Sequence, residues 1–269
     1  SVLYGDKFSE VFLNETPNGT PRPERDINME TQFEYGSRCG VWRLLRLFKE
    51  REFRFTCYAV GKAVEGNSEA IRAMHKDGHE VASHSTWIDY SKLTEEEERE
   101  HIRATIKAIS DATGKPPRGW YTGRISQRSR RLVWEEYKKA GIPLLYDCDA
   151  YNDDLPYWVN VDGEGHLIIP YTLDQNDMKF AVAPGFTSPS GFTEYLTDAF
   201  DTLLAEGRSS TSPAPKLMSV GLHCRLAGKP GRAAALARFL DHVKSHPDVW
   251  VCTREEVANH WRSKFPYQK

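Results

Sequence analysis

From residue 53 onward, short apolar runs alternate with helical patterns that carry their own start and stop signals, and this rhythm constrains the fold more than any other feature. Residues 53–60, rich in aromatic and β-branched side chains, predict a strand. Asn67 or Ser68 then caps a helix to Lys76, with Ala70, Ile71 and Met74 on one face and Gly78 as its stop. Residues 79–84 predict the next strand. Thr94 and Glu97 make a capping box for a helix whose apolar face is Ile102, Ile106 and Ile109, ended by Gly114. The pattern continues with a strand over 119–121, a helix opened by Ser126 and running to Gly141, and a strand over 143–146. Further along come a helix over 192–204, an apolar strand over 217–222, a helix over 231–245, a strand over 249–252 and a helix capped by Thr253 and Glu256. Residues 159–170, with Asp162-Gly163 inside, predict a small hairpin insertion. Strands separated by helices at this spacing predict parallel pairing, hence an α/β barrel or a doubly wound sheet. No repeat or long linker divides the chain, so a single domain over residues 1–269 is expected. Residues 1–28 show prolines and turn formers but no clear strand, and only a helix over 37–50 stands out before residue 53.

Composition removes several functional classes. Thirty-six basic residues face 38 acidic ones with no basic block, so neither a nucleic acid nor a membrane is an expected partner. No apolar run approaches the roughly 20 residues that a bilayer span needs. The acidic run Glu95 to Glu98 reads as the solvated first turn of its helix. Five cysteines, widely spaced and never in a CxxC pair, predict neither a disulfide framework nor a cysteine zinc site, and a cytoplasmic setting is the expectation.

Ligands meet parallel α/β folds at the C-terminal ends of the strands. Just past the predicted strands stands a selective set: His84, then Trp120 to Arg124, then Asp147 and Asp149, then His223 and Arg225. Imidazole, carboxylate and guanidinium on one edge are hydrolytic equipment, although each alone also serves as an ordinary turn or cap partner. His79 and His84, five apart on a strand, point to opposite faces and do not share an ion without a bend. His242 and His246, four apart on a helix, could ligate together, but their place in its last turn before Pro247 is explained by helix-end solvation. Cys224 reads as a small apolar residue rather than a nucleophile, and the chain has no GxSxG elbow.

Asn28-Met29-Glu30, the run Glu34 to Arg38, Gly78 to His84 with Trp87 to Tyr90, Gly119 to Arg124, and His223 to Gly228 with Pro230 to Arg232 closely resemble the polysaccharide deacetylase (NodB-like, carbohydrate esterase 4) superfamily. More narrowly they resemble its allantoinase-like branch, which also holds cyclic imide hydrolases and fungal chitin-deacetylase-like proteins. The resemblance implies a distorted, incomplete (β/α) barrel, whose first strand is expected before residue 1, and hydrolysis of a C–N amide bond. It implies His223 as general acid, with His84 and Arg124 as further catalytic residues. Glu30, Glu34, Arg38, Trp120, Tyr121, Asp147 and Asp149 are the expected substrate contacts, with Trp158 as a further wall of the pocket. Metal-dependent relatives hold zinc with two histidines of an HSxxH motif; here His84-Ser85 begins it, but Ile88 stands at the second histidine. No cofactor is therefore expected; were zinc bound, His84 with Asp89 or Asp147 would hold it. The expected substrate is a small cyclic amide or ureide, allantoin first, with a chito-oligosaccharide as the alternative and a non-catalytic relative as the second. A homo-oligomer is also expected.

Overall fold

Alternating strand and helix signals become, in the computed structural model, an open sheet flanked by helices. Residues 27–86, 89–182 and 185–268 are described. In chain order the elements are α1 (Ile27–Tyr35), α2 (Val41–Glu50), β1 (Thr56–Ala59), α3 (Gly61–Gly66), α4 (Ser68–Lys76), β2 (Glu80–Ser83), α5 (Glu95–Thr113) and β3 (Gly119–Trp120). Then come α6 (Ser129–Lys139), β4 (Tyr146–Asp147), β5 (Tyr157–Val161), β6 (Glu164–Ile168), α7 (Pro189–Gly207), α8 (Pro230–Lys244) and α9 (Arg254–Lys264). They fall into two compact units: a helical one of residues 27–52 with 172–250, and a sheet-containing one of residues 53–171 with 251–268.

In the sheet unit six strands run in the order β1-β2-β3-β4-β6-β5 without closing into a barrel. β1 to β4 and β6 pair in parallel, which agrees with the expected α/β class and its incomplete-barrel form. β5 and β6 form the expected antiparallel hairpin, turning at Asp162 (φ 49°) and Gly163 (φ 82°). It is no insertion, however, since β6 pairs with β4 and so extends the sheet. Ile102 and Ile106 of α5 and Leu132, Val133 and Tyr137 of α6 bury against Trp120, forming a core that Ile142 and Leu144 border. The capping box of Thr94 and Glu97 is present.

Glu95 to Glu98 do more than solvate a helix start. Arg99 bridges Glu95 to Glu135 and Glu136 of α6, and the fully buried Glu98 pairs with Arg128 and Ser129. The run therefore ties α5 to α6, a tertiary use that periodicity along one helix does not reveal. α6 itself begins at Ser129, after a turn in which Ser126 accepts the Arg128 N–H.

In the helical unit, α7 and α8 bury Phe192, Leu196 and Phe200 with Leu236, Phe239 and Leu240. The expected helix over 37–50 forms as α2 over residues 41–50, and its first residues are wound as a π-helical turn, Gly36–Gly40, that leads in from α1. A Cβ at Gly40 would lie 2.0 Å from the Cys224 carbonyl oxygen, so only glycine lets these backbones touch. The expected strands over 217–222 and 249–252 do not form. Residues 172–175 are turned by Thr172 Oγ1, which accepts the N–H of Asp174 and of Gln175, so a single parallel bridge, Asn176 to Gly221, is all that pairs. The expectation of no clear strand within residues 1–26 lies outside the described residues.

Candidate functional site

In the helical unit, the Asn176–Gly221 bridge carries Asp177 to His223. His223 Nδ1 lies 2.6 Å from Asp177 Oδ1, while Oδ2 accepts the backbone N–H groups of His223 (2.8 Å) and Ala227 (2.9 Å). Asp177 is wholly buried, whereas the His223 side chain keeps 19% of its surface. A carboxylate only accepts, so Nδ1 carries the proton and Nε2 is left to exchange one with a ligand. The turn after His223 is tight, its carbonyl accepting from Leu226 and Ala227. Arg225 comes next, with its guanidinium over the Phe33 ring at 4.9 Å. The neighbouring Cys224 thiol is pushed up to about 11 by burial, which fits its small apolar role. Sequence reasoning missed Asp177, because a carboxylate in a polar loop 46 residues upstream carries no local mark of its partner.

Glu30 of α1 is buried, while Glu34 and Arg38 lie one helical turn apart on an exposed face, 3.9 Å from each other.

In the sheet unit a second group gathers around Gly123, just past β3. Its N–H donates to Asp149 Oδ1 at 2.7 Å, and the Thr122 N–H reaches both Asp149 oxygens at 3.0 Å. A Cβ on Gly123 (φ 80°) would stand 3.2 Å from the Tyr121 hydroxyl and 3.4 Å from His84 Cε1, so His84, Tyr121 and Asp149 all border this glycine. The His84 and Tyr121 rings lie 4.8 Å apart, and the Tyr121 hydroxyl is 2.9 Å from that of Tyr151. Ser85, directly after His84, takes a left-handed φ of 53°, and its hydroxyl bonds Tyr90. Burial, then the negative charge of Asp147, raises the Asp149 carboxyl to about 7 against the opposing pull of the Gly123 and Thr122 amides. A carboxyl at that value can take up or release a proton near neutrality.

Asp147 is used differently from expectation. It is 3% exposed, with His166 Nε2 at 2.7 Å and Arg130 Nε at 2.8 Å. Burial opposes its ionisation, but the hydrogen bond and charge of His166 and the Arg130 guanidinium prevail and hold its carboxyl below the usual range. It shapes the field at Asp149 rather than presenting a surface to a ligand. Trp120 also corrects expectation: at 1% exposure it stands edge-on to Tyr137 and gives its indole N–H to Thr122. As a core residue, Trp120→Ala should cost about 3–5 kcal/mol of stability in a denaturant titration. Trp158 gives its indole N–H to the Phe265 carbonyl and is a contact of the C-terminal segment. Arg124 is exposed, and its carbonyl accepts the Tyr90 N–H.

The residues expected to join His84 in holding zinc are engaged by other side chains. Asp89 is held by Ser91 and Lys92, Asp147 by His166 and Arg130, and His79 is stacked on Phe55 at 3.8 Å with Nδ1 accepting the Phe55 N–H. Ile88, at the second histidine's place, lies outside the described residues. Among the described residues, the one group of three ligand-type side chains within metal distance is Asp201, His242 and His246. All five cysteines are free thiols, and no helix of the described residues is long and apolar enough to cross a membrane.

A mostly parallel sheet with histidines and carboxyls past its strands, and a histidine fixed on a buried aspartate, are groups suited to the proton transfers of hydrolysis, and comparison with known proteins places the chain among hydrolases that act on C–N amide bonds. Residues 23–145 match the family described as Polysaccharide deacetylase. A Schizosaccharomyces pombe protein bearing a polysaccharide deacetylase name is 48% identical over 285 residues, covering 100% of this chain and 87% of its own. Two crystal structures are each 48% identical over 97% of this chain and 83% of theirs: PuuE allantoinase, with a TM-score of 0.88, and a Pseudomonas aeruginosa protein with a polysaccharide deacetylase name, with a TM-score of 0.86. The chain belongs to the polysaccharide deacetylase family.

Proposed function

We propose that the protein opens a small cyclic ureide or imide by hydrolysing a ring C–N bond, with allantoin as its substrate. The His223–Asp177 pair carries this reading. An amide nitrogen is a poor leaving group until it is protonated, and an imidazole fixed through Nδ1 on a buried carboxylate delivers that proton from Nε2. The attacking water must also lose a proton. Asp149, poised at about 7, is the assigned acceptor, with His84 beside Gly123 assisting it. Arg124 is the cationic partner proposed for the oxyanion. Glu30, Glu34 and Arg38 are assigned to the N–H and carbonyl groups of the ring. No step is routed through a metal or cofactor, since Asp89 and Asp147, the partners expected for His84, are held by other side chains. The likeness to PuuE allantoinase supports the cyclic ureide as substrate.

Deacetylation of N-acetylglucosamine oligomers is the second reading, favoured by the tyrosines at 58, 121, 151 and 171, of which Tyr151 is 47% exposed and available to stack on a sugar. A panel of allantoin, a succinimide-type imide and a chito-oligosaccharide decides between them. Turnover of allantoin or the imide is expected. Release of acetate from the oligosaccharide alone would transfer the assignment to the second reading, and no turnover of any of them would overturn both.

A further inference from the structure

We infer that the outer face of α7 and α8 holds a binding site for a late first-row divalent ion, with Zn²⁺ as the fitting metal, made by Asp201, His242 and His246. One ligand atom from each of these side chains lies within 4.8 Å of the other two. His242 stands in the last turn of α8 and His246 two residues past its end, four positions apart, the spacing at which two imidazoles on a helical turn share an ion. Asp201 enters from α7, with Oδ1 2.7 Å from His242 Nε2. A tetrahedral zinc with bonds of about 2.0–2.2 Å sets its ligands roughly 3.4 Å apart, a separation close to the 4.8 Å within which the three ligand atoms already lie.

The arrangement is built rather than incidental in two respects. His246 Nδ1 is 3.0 Å from the His242 carbonyl, four residues back in the last turn of α8, and so carries the proton, which leaves the Nε2 lone pair for a metal. Phe200, 7% exposed and next to Asp201, meets both imidazoles edge-on, with ring centroids 5.4 Å from His242 and 5.3 Å from His246. That contact orients the two rings from the core side. Imidazole nitrogens select late transition ions over Mg²⁺ or Ca²⁺. Two helices contribute ligands, so the ion would clip α7 to α8; the half-exposed Asp201 and partly exposed His242 leave it an entry path and a fourth position for water.

The test uses the untagged full chain after chelator treatment, titrated with Zn²⁺ by calorimetry and with Co²⁺ by visible absorption. One equivalent of Zn²⁺ is expected at micromolar affinity, with a Co²⁺ spectrum of the intensity that tetrahedral coordination gives and a melting temperature raised by several degrees in saturating Zn²⁺. His246→Ala and His242→Gln should each weaken that equivalent at least tenfold and abolish the thermal shift, while Asp201→Asn weakens it less. His242→Gln, which keeps a polar group facing Asp201, serves if the alanine variant misfolds. Failure of the wild type to bind at millimolar Zn²⁺, or binding and a thermal shift that survive both histidine substitutions, would overturn the site.

Discussion

His223→Ala should lower the turnover number by about 10²–10⁴ while leaving the melting temperature within a few degrees of wild type. The imidazole keeps 19% of its surface exposed, and its hydrogen bond to the protein runs through Nδ1. Asp177 is wholly buried and spends one oxygen on the backbone N–H groups of His223 and Ala227, so the loop retains its anchor when the imidazole is removed. The loss falls on the Nε2 proton. Asp177→Asn should produce a loss in the same range by another route. Its carbonyl can still accept from the backbone, but an amide N–H facing Nδ1 holds the imidazole in the neutral Nε2–H tautomer and removes the carboxylate that supports the imidazolium, the form that gives up a proton to the leaving nitrogen. Steady-state kinetics on allantoin, with thermal melts of each variant, separates the effects: a fall in kcat with little change in KM or melting temperature is expected. Near-wild-type turnover of His223→Ala would remove the histidine from the mechanism.

The range of the forces involved decides which features were legible in the sequence and which were hidden. Capping boxes at Thr94 and Thr253, the turn at Asp162-Gly163 and the apolar faces of the helices are local, and the structure shows them where the residues predict them. Segments that depend on a partner were displaced. Residues 217–222 look like a strand because they are apolar, yet their neighbour is turned by Thr172 and pairs at one position only. The run Glu95 to Glu98 looks solvated because Arg131, which bonds Glu95, and Glu135, which Arg99 bonds in turn, each lie 36 positions along the chain from their partner. The candidate residues behave alike. His84, His223 and Asp149 were visible as polar groups ending strands, whereas the division of labour between Asp147 and Asp149 depends on His166 and Arg130, which no spacing links to them. Trp120 misled for a related reason: an indole after a strand suits a pocket wall and a core equally, and burial decides.

That division of labour supplies the second large effect. Asp149→Asn should cut kcat by about 10²–10⁴ and also remove the acidic limb of the pH profile. Burial and the charge of Asp147 raise the wild-type carboxyl to about 7, so kcat/KM should rise with pH through that value, falling about tenfold per unit on the acid side, where the base is protonated. Stability moves in the opposite direction. A carboxyl whose pKa is higher in the folded chain than its unfolded value of 3.8 contributes stability below that lower value and loses it as pH rises toward 7. Wild type should therefore weaken relative to Asp149→Asn between about pH 4 and 7 when both are unfolded in denaturant. These readouts distinguish a base from an anchor. If Asp149 served only to hold the Thr122 and Gly123 amides, the asparagine variant, which keeps one accepting oxygen, would lose affinity or stability yet retain the same acidic limb. A variant profile that still bends near pH 7 would assign proton uptake from water to His84 instead.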